Sequence, residues 1–90
     1  MVITLRQMQY VVSVAKHGSF SKAADECAAD QSTVSHQIKT FEDRLGVQVF
    51  DRSTLPITIT ESGKGIIEQC EKVIAQVEEL VAPFKRGFKG

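Results

Sequence analysis

The sequence predicts a mainly α fold in which three short helices and a two-stranded β ribbon precede one long C-terminal helix. Three observations carry this expectation. Apolar residues recur at helical spacing through the first half of the chain, the pattern changes to strict alternation in Ile57-Thr58-Ile59-Thr60, and from Glu61 a heptad-like repeat runs to Phe84. Ninety residues make one small domain with a thin core, so pairing of two copies is a natural source of further burial.

The first helix should begin after Thr4, which with Gln7 three positions on forms a capping-box pattern. Leu5, Met8, Val11, Val12 and Ala15 share one face while Tyr10 and Val14 lie on another, so this helix is expected to pack against two neighbours. Gly18 should end it, and Phe20 should enter the core. Ser21 is the expected cap of a second helix from Lys22 to Ala28, whose Ala23, Ala24, Cys27 and Ala28 permit close helix packing. A three-residue connection, Ala28 to Asp30, then has the length found inside a helix-turn-helix.

The third helix follows, capped by Asp30 and stopped by Gly46. Val34, Ile38, Phe41 and Leu45 form its single narrow apolar stripe. The opposite face opens with Gln31, Ser32, Thr33, Ser35, His36, Gln37 and Lys39, and no carboxylate intervenes until Glu42 and Asp43. An end of a helix that is rich in hydrogen-bonding groups and free of acid can lie against a polyanion. This arrangement suits a DNA-reading recognition helix.

Beyond Gly46, Val49 to Arg52 and Ile57 to Thr60 are expected to be the strands of a wing, joined by Ser53, Thr54, Leu55 and Pro56. Thr60 should cap the longest helix, Glu61 to about Ala82, with Pro83 ending or kinking it. Along it, Ile66, Cys70, Val73, Val77, Leu80 and Phe84 alternate steps of four and three and make a heptad seam. Ile67, Ile74 and Val81 form a second stripe. Two stripes on one helix predict a homodimer, in which all six residues of the heptad seam are expected to pair with a symmetry mate while the other stripe holds the helix to its own domain. The expected organisation is a winged helix-turn-helix over residues 1–60, a dimerisation helix over 61–84 and the start of a hinge over 85–90.

Charge is balanced at 11 basic and 11 acidic side chains, so the whole chain lacks the basic excess common in nucleic-acid binders. Its distribution is uneven. Residues 1–24 carry Arg6, Lys16 and Lys22 without one acid, whereas residues 25–51 hold six acids against Lys39 and Arg44. Neither a signal peptide nor a transit segment follows Met1, and no apolar run approaches the roughly 20 residues of a membrane span. A cytoplasmic protein without a membrane partner is expected. Cys27 and Cys70 each sit in a helical apolar pattern, which favours two buried thiols over a redox pair. The chain presents no Ser/His/Asp set, phosphate-binding glycine loop or metal-ligand spacing, so it predicts no enzyme, metal site or cofactor.

Ser19-Phe20-Ser21-Lys22-Ala23-Ala24, Gln31 with Ser35, Gln37-Ile38, Phe41-Glu42, Leu45-Gly46-Val47, Phe50, Arg52 and Thr60-Glu61-Ser62-Gly63 together resemble the N-terminal domain of LysR-type transcriptional regulators. The resemblance covers essentially the whole chain. It implies a winged helix-turn-helix whose linker helix pairs two subunits on an interrupted palindromic site in double-stranded DNA. It also implies a C-terminal effector-binding domain outside these residues, through which a small molecule would act. In proteins similar to this one the start of the recognition helix enters the major groove, and the matching positions are Gln31, Ser32, Thr33, Ser35 and His36. Ser21, Lys22, Lys39 and Thr54 are the expected phosphate contacts, which fix register without reading sequence.

Three positions depart from the family pattern. Ser32 stands where proline is common, His36 stands where arginine is common, and Leu55 matches an arginine that similar proteins insert into the minor groove. Histidine makes one bond where arginine's fork makes two. These departures and the neutral charge leave a second reading open, a winged-helix module that binds protein. Arg52 could brace the wing by pairing with Glu42 or could touch DNA, and Gln37 flanks the stripe as a candidate structural residue.

Overall fold

Glycine and hydroxyl residues divide the chain close to where its pattern predicts. The computed structural model describes residues 2–87, in the order α1 (Leu5–His17), α2 (Phe20–Cys27), α3 (Gln31–Leu45), β1 (Phe50–Asp51), β2 (Thr58–Ile59) and α4 (Glu61–Gly87). The reciprocal cap of α1 is present: the Gln7 amide donates to Thr4 Oγ1 at 3.1 Å and the Thr4 amide to Gln7 Oε1 at 2.9 Å. Gly18 closes the helix at φ 65°, its N–H donating to the Val14 carbonyl at 2.7 Å. Such a left-handed residue is least strained when it lacks a Cβ.

Helix α1 is central and packs against α2, α3 and α4, one neighbour more than its two apolar faces suggest. Tyr10, Val11 and Val14 meet Phe20, Ala23 and Ala24 of α2 and Val34, Ile38 and Phe41 of α3 in one core. Val49 and Phe50 close it from the wing, with the Phe20 and Phe50 rings edge to face at 6.4 Å. The third-helix stripe is therefore core, apart from Leu45, which is only partly buried. Helix α4 rests on α1 through Ile67 and Cys70, and its N-terminus is pressed against Val49, the residue before β1. A Cβ on Gly63 would lie 2.3 Å from the Val49 carbonyl oxygen, so only glycine permits that approach.

The wing is a minimal antiparallel ribbon in the register Phe50 opposite Ile59 and Asp51 opposite Thr58. Each strand has two residues rather than the four expected, because Asp51 turns the chain early. Its carboxylate accepts from the Ser53 amide at 2.9 Å and the Ser53 hydroxyl at 2.5 Å. Both bonds hold the Asp51 carboxyl below its ordinary range.

Other expectations need correction. Helix α2 starts at Phe20, with Ser19 rather than Ser21 as its cap; the Ser19 hydroxyl accepts from the Lys22 amide at 3.1 Å. The apolar Phe20 thus belongs to the first turn, which is what delivers it to the core. Asp30 occupies the N-cap of α3 but makes no side-chain cap bond. The residue is exposed. Thr60 does cap α4, its hydroxyl accepting from the Gly63 amide at 2.9 Å and donating to the Gln48 carbonyl at 2.6 Å. Pro83 does not end that helix, which continues to Gly87. The residue is solvent-exposed, as is Glu79 one turn before it, so water can serve the carbonyl left without a donor. The hinge expected from residue 85 is therefore helical as far as Gly87, and residues 88–90 lie outside the described part.

Within the heptad seam, Cys70 is turned inward at 4% exposure and Ile66 packs against the core. The reason is the spacing of Ile66, Ile67 and Cys70, which puts all three within one arc facing α1. Burial pushes the Cys70 thiol pKa up, with Glu71 adding to it, so the thiol stays protonated. Cys27 is only partly buried, less than expected. No helix among the described residues is long and apolar enough to cross a membrane.

Candidate nucleic-acid interface

The apolar side of α3 determines what its other side can do. Val34 and Ile38 are fully buried, so Gln31, Ser32, Thr33 and His36 are left exposed on the first two turns. No acid lies in the first turn of the helix, and its last turn carries Arg44. The Arg44 guanidinium is engaged elsewhere, donating to the Val2 carbonyl at 2.6 Å. The helix N-terminus adds unpaired backbone donors and a partial positive charge, which favour an anion.

Ser35 behaves differently from its neighbours. It is half-buried beneath the base of the wing, where Arg52 Nη1 donates to its Oγ at 3.2 Å. The other arm of Arg52 reaches Glu42 Oε1 at 3.3 Å, and the guanidinium lies over the Phe20 ring with its carbon 4.7 Å from the centroid. Glu42, 6% exposed, uses its second oxygen to accept from the Val49 and Phe50 amides at 2.8 and 3.1 Å. One buried carboxylate thus ties the last turn of α3 to the start of β1. Both of its oxygens are served by donors, as a buried charge requires.

Lys22 and Ser21 are exposed in the first turns of α2, and the Lys22 ammonium makes no ion pair among the described residues. Lys39 is exposed but paired with Asp43 at 3.2 Å. Such a surface pair is worth about 0.3–0.5 kcal/mol, so the lysine can exchange it for another anion at little cost. Thr54 is exposed in the wing, its hydroxyl donating to the Asp51 carbonyl at 3.3 Å and lying 3.1 Å from the Thr58 hydroxyl. Leu55, at 92% exposure, is the most exposed large apolar residue described. A cleft between α3 and the wing joins Lys39, Glu42 and Asp43 to Asp51, Arg52 and Ser53. Ser35 and Lys39 are thereby brought beside the wing, whereas Ser21 and Lys22 belong to the preceding helix.

Two supports of this face are weak or silent in the sequence. Gln37 is half-buried and accepts from Gln7 Nε2 at 3.0 Å, locking α3 to α1; its place beside the apolar stripe is the one signal. Arg6 donates to the Cys27 carbonyl at 2.8 Å and stacks 5.0 Å from the Tyr10 ring, a contact across 21 positions that no local pattern announces. Among the described residues no cluster of three His, Cys, Asp or Glu side chains could hold a metal.

Known proteins match the chain over most of its length. The model of the family described as bacterial regulatory helix-turn-helix protein, lysR family, matches residues 5–64. The hydrogen peroxide-inducible genes activator of Pectobacterium carotovorum subsp. carotovorum is 36% identical over 78 residues, which are 87% of this chain and 26% of that protein. The transcriptional regulator BenM of Acinetobacter baylyi is 34% identical over 82 residues, 91% of this chain and 27% of its own. Among solved structures, the BenM DNA-binding domain in complex with benA site 1 DNA matches with a TM-score of 0.87 and 33% identity, covering 98% of this chain and 99% of that one. A full-length OxyR from Pseudomonas aeruginosa matches with a TM-score of 0.88 and 34% identity, covering 99% of this chain and 30% of the other. The chain spans about a quarter of the length of the curated relatives it matches.

Proposed function

Since the chain belongs to the lysR family of bacterial regulatory helix-turn-helix proteins, we propose that it binds double-stranded DNA sequence-specifically as a homodimer and so regulates transcription. The observation that carries this is the exposed, acid-free opening of α3, held outward by the buried Val34 and Ile38. Placed in a major groove, Gln31, Ser32, Thr33, Ser35 and His36 meet base edges. Ser21 and Lys22 from α2, Lys39 from α3 and Thr54 from the wing take phosphates. Val73, Val77, Leu80 and Phe84 of α4 supply the pairing surface, and Ile66 and Cys70 serve the protomer's own core.

Residues 1–60 form the DNA-binding unit and α4 the link to an effector-responsive part of the whole protein. The site is an interrupted palindrome whose half-sites mirror the two-fold axis. A cytoplasmic location follows from that role. With Leu55 where an arginine would enter the minor groove, the wing contributes phosphate contacts and no base reading.

The test uses duplexes enriched from random sequence by the wild-type protein, with binding followed by fluorescence anisotropy across a salt series. Replacing Lys22 and Lys39 by glutamate should weaken binding to every duplex alike and lower the salt slope of the homodimer by about 4, one for each phosphate that the two lysines of each subunit no longer neutralise. Unchanged affinity and slope, or failure of the wild type to enrich any sequence, would leave a protein-binding module as the better reading.

A further inference from the structure

Arg52 sits at the root of the wing, yet its Nη1 reaches the recognition helix at the one position, Ser35, whose hydroxyl is both near the groove-facing turns and fixed from behind. A guanidinium has donors only. The 3.2 Å bond therefore occupies a lone pair of Ser35 Oγ and leaves the O–H free to point outward. A positive charge behind the oxygen polarises that O–H and opposes the approach of a second donor. An otherwise ambivalent hydroxyl becomes a directed donor.

Its direction is secured by what holds Arg52. The second arm is bound to Glu42 at 3.3 Å, Glu42 is anchored on two backbone amides of the wing, and the guanidinium plane lies 4.7 Å over Phe20. Held by these partners, the guanidinium cannot follow Ser35 to a new position. Exposed Gln31, Ser32, Thr33 and His36 have no comparable restraint among the described bonds.

We propose that Arg52 is a specificity-positioning residue, which through its bond to Ser35 makes that hydroxyl select an acceptor on the base edge (guanine O6 or N7, adenine N7, thymine O4) against the donor amino groups of cytosine and adenine. The inference rests on the DNA-binding reading above and adds the polarity of one contact to it.

Base preferences of the wild type, Ser35→Ala, Arg52→Lys and the double variant are measured on the same enriched duplex, substituted at each base pair in turn. Lysine keeps the charge beside Glu42 and cannot hold both partners, so folding is preserved while Ser35 is released; thermal melts check this. Ser35→Ala should erase the preference at one base pair of each half-site, on the order of tenfold in the wild type. Arg52→Lys should erase most of the same preference, and the double variant should lose no more than Ser35→Ala alone. If Arg52→Lys weakens all duplexes equally and keeps that preference, Arg52 is merely structural and the inference falls. If Ser35→Ala alters no preference it falls as well, while enrichment by the wild type leaves the DNA-binding reading standing. Should Arg52→Lys not fold, Arg52→Gln takes its place with the same two outcomes, and in the wild type loss of affinity with 7-deazapurine or 4-thiothymine at the Ser35 position is expected. Loss there only on removing an amino group overturns it.

Discussion

Charged side chains in this domain tie elements together, and Glu26 offers the case that pH can test. Its carboxylate accepts from the Ser13 hydroxyl at 2.5 Å and from Lys16 Nζ at 2.9 Å, with His17 Nε2 3.3 Å away, so it links the end of α1 to α2. These partners, the Ser13 bond first and Lys16 next, lower its pKa from the ordinary 4.5 to about 2. A carboxylate whose folded pKa is depressed adds stability above its unfolded pKa and loses it as pH falls through the folded one. Wild type should therefore exceed Glu26→Gln in melting temperature at neutral pH, and the gap should close between about pH 4.5 and about pH 2. Added salt should narrow the gap, since the pair is exposed. A gap that is constant with pH would sink this account. In the sequence Glu26 is invisible as anything but surface charge, and Glu42 is legible only as a partner for Arg52. Both depend on tertiary placement: the amides that Glu42 serves lie seven and eight residues on, across the turn after Gly46.

The helices are more legible than the contacts between them, because caps and stripes act within one turn. Thr4, Gly18, Gly46 and Thr60 mark boundaries where local chemistry alone decides. The start of α2 lies two residues ahead of where the pattern puts it because Ser19 and Ser21 offer the same hydroxyl, and only the burial of Phe20 distinguishes them. The turn between α2 and α3 holds a residue the pattern conceals. Ala28 closes α2 at φ 53° and ψ 48°, the left-handed region, where its Cβ costs roughly 1–2 kcal/mol. It is exposed, so Ala28→Gly removes strain without leaving a cavity. Part of the gain is offset by glycine's greater freedom in the unfolded chain, leaving a net stabilisation of about 0.5–1 kcal/mol. Chemical denaturation should show a higher midpoint with an unchanged slope. A midpoint below wild type would mean that the alanine methyl contributes packing that outweighs the strain.

At the scale of the molecule, the shape itself argues for a second copy. The described residues extend 49 Å by 25 Å by 20 Å, and most of the long dimension is accounted for by a 27-residue helix, about 40 Å long, reaching past the domain that anchors it. Ile66, Ile67 and Cys70 satisfy the anchored end, whereas Val73 and Leu80 remain 41% and 66% exposed on the projecting part. The heptad is thus readable as a repeat, but which of its members face inward is not, since that depends on where α1 ends beneath it. An apolar groove continues the stripe along Lys72, Val73, Gln76, Val77 and Leu80. A charge at two of these positions would be buried in a dimer and free in a monomer. Val73→Glu with Leu80→Glu should accordingly yield monomers in sedimentation while leaving the helical signal of the domain intact. Binding to a duplex with two half-sites should fall on the order of 100-fold or more, because the second recognition helix no longer acts at high effective concentration. Binding to an isolated half-site should change by less than about twofold, since α3 and its supports stay as they are. A double variant that still sediments as a dimer would place the pairing surface elsewhere on the molecule, and an equal loss on both duplexes would mean that α4 supports the fold of the reading head rather than its doubling.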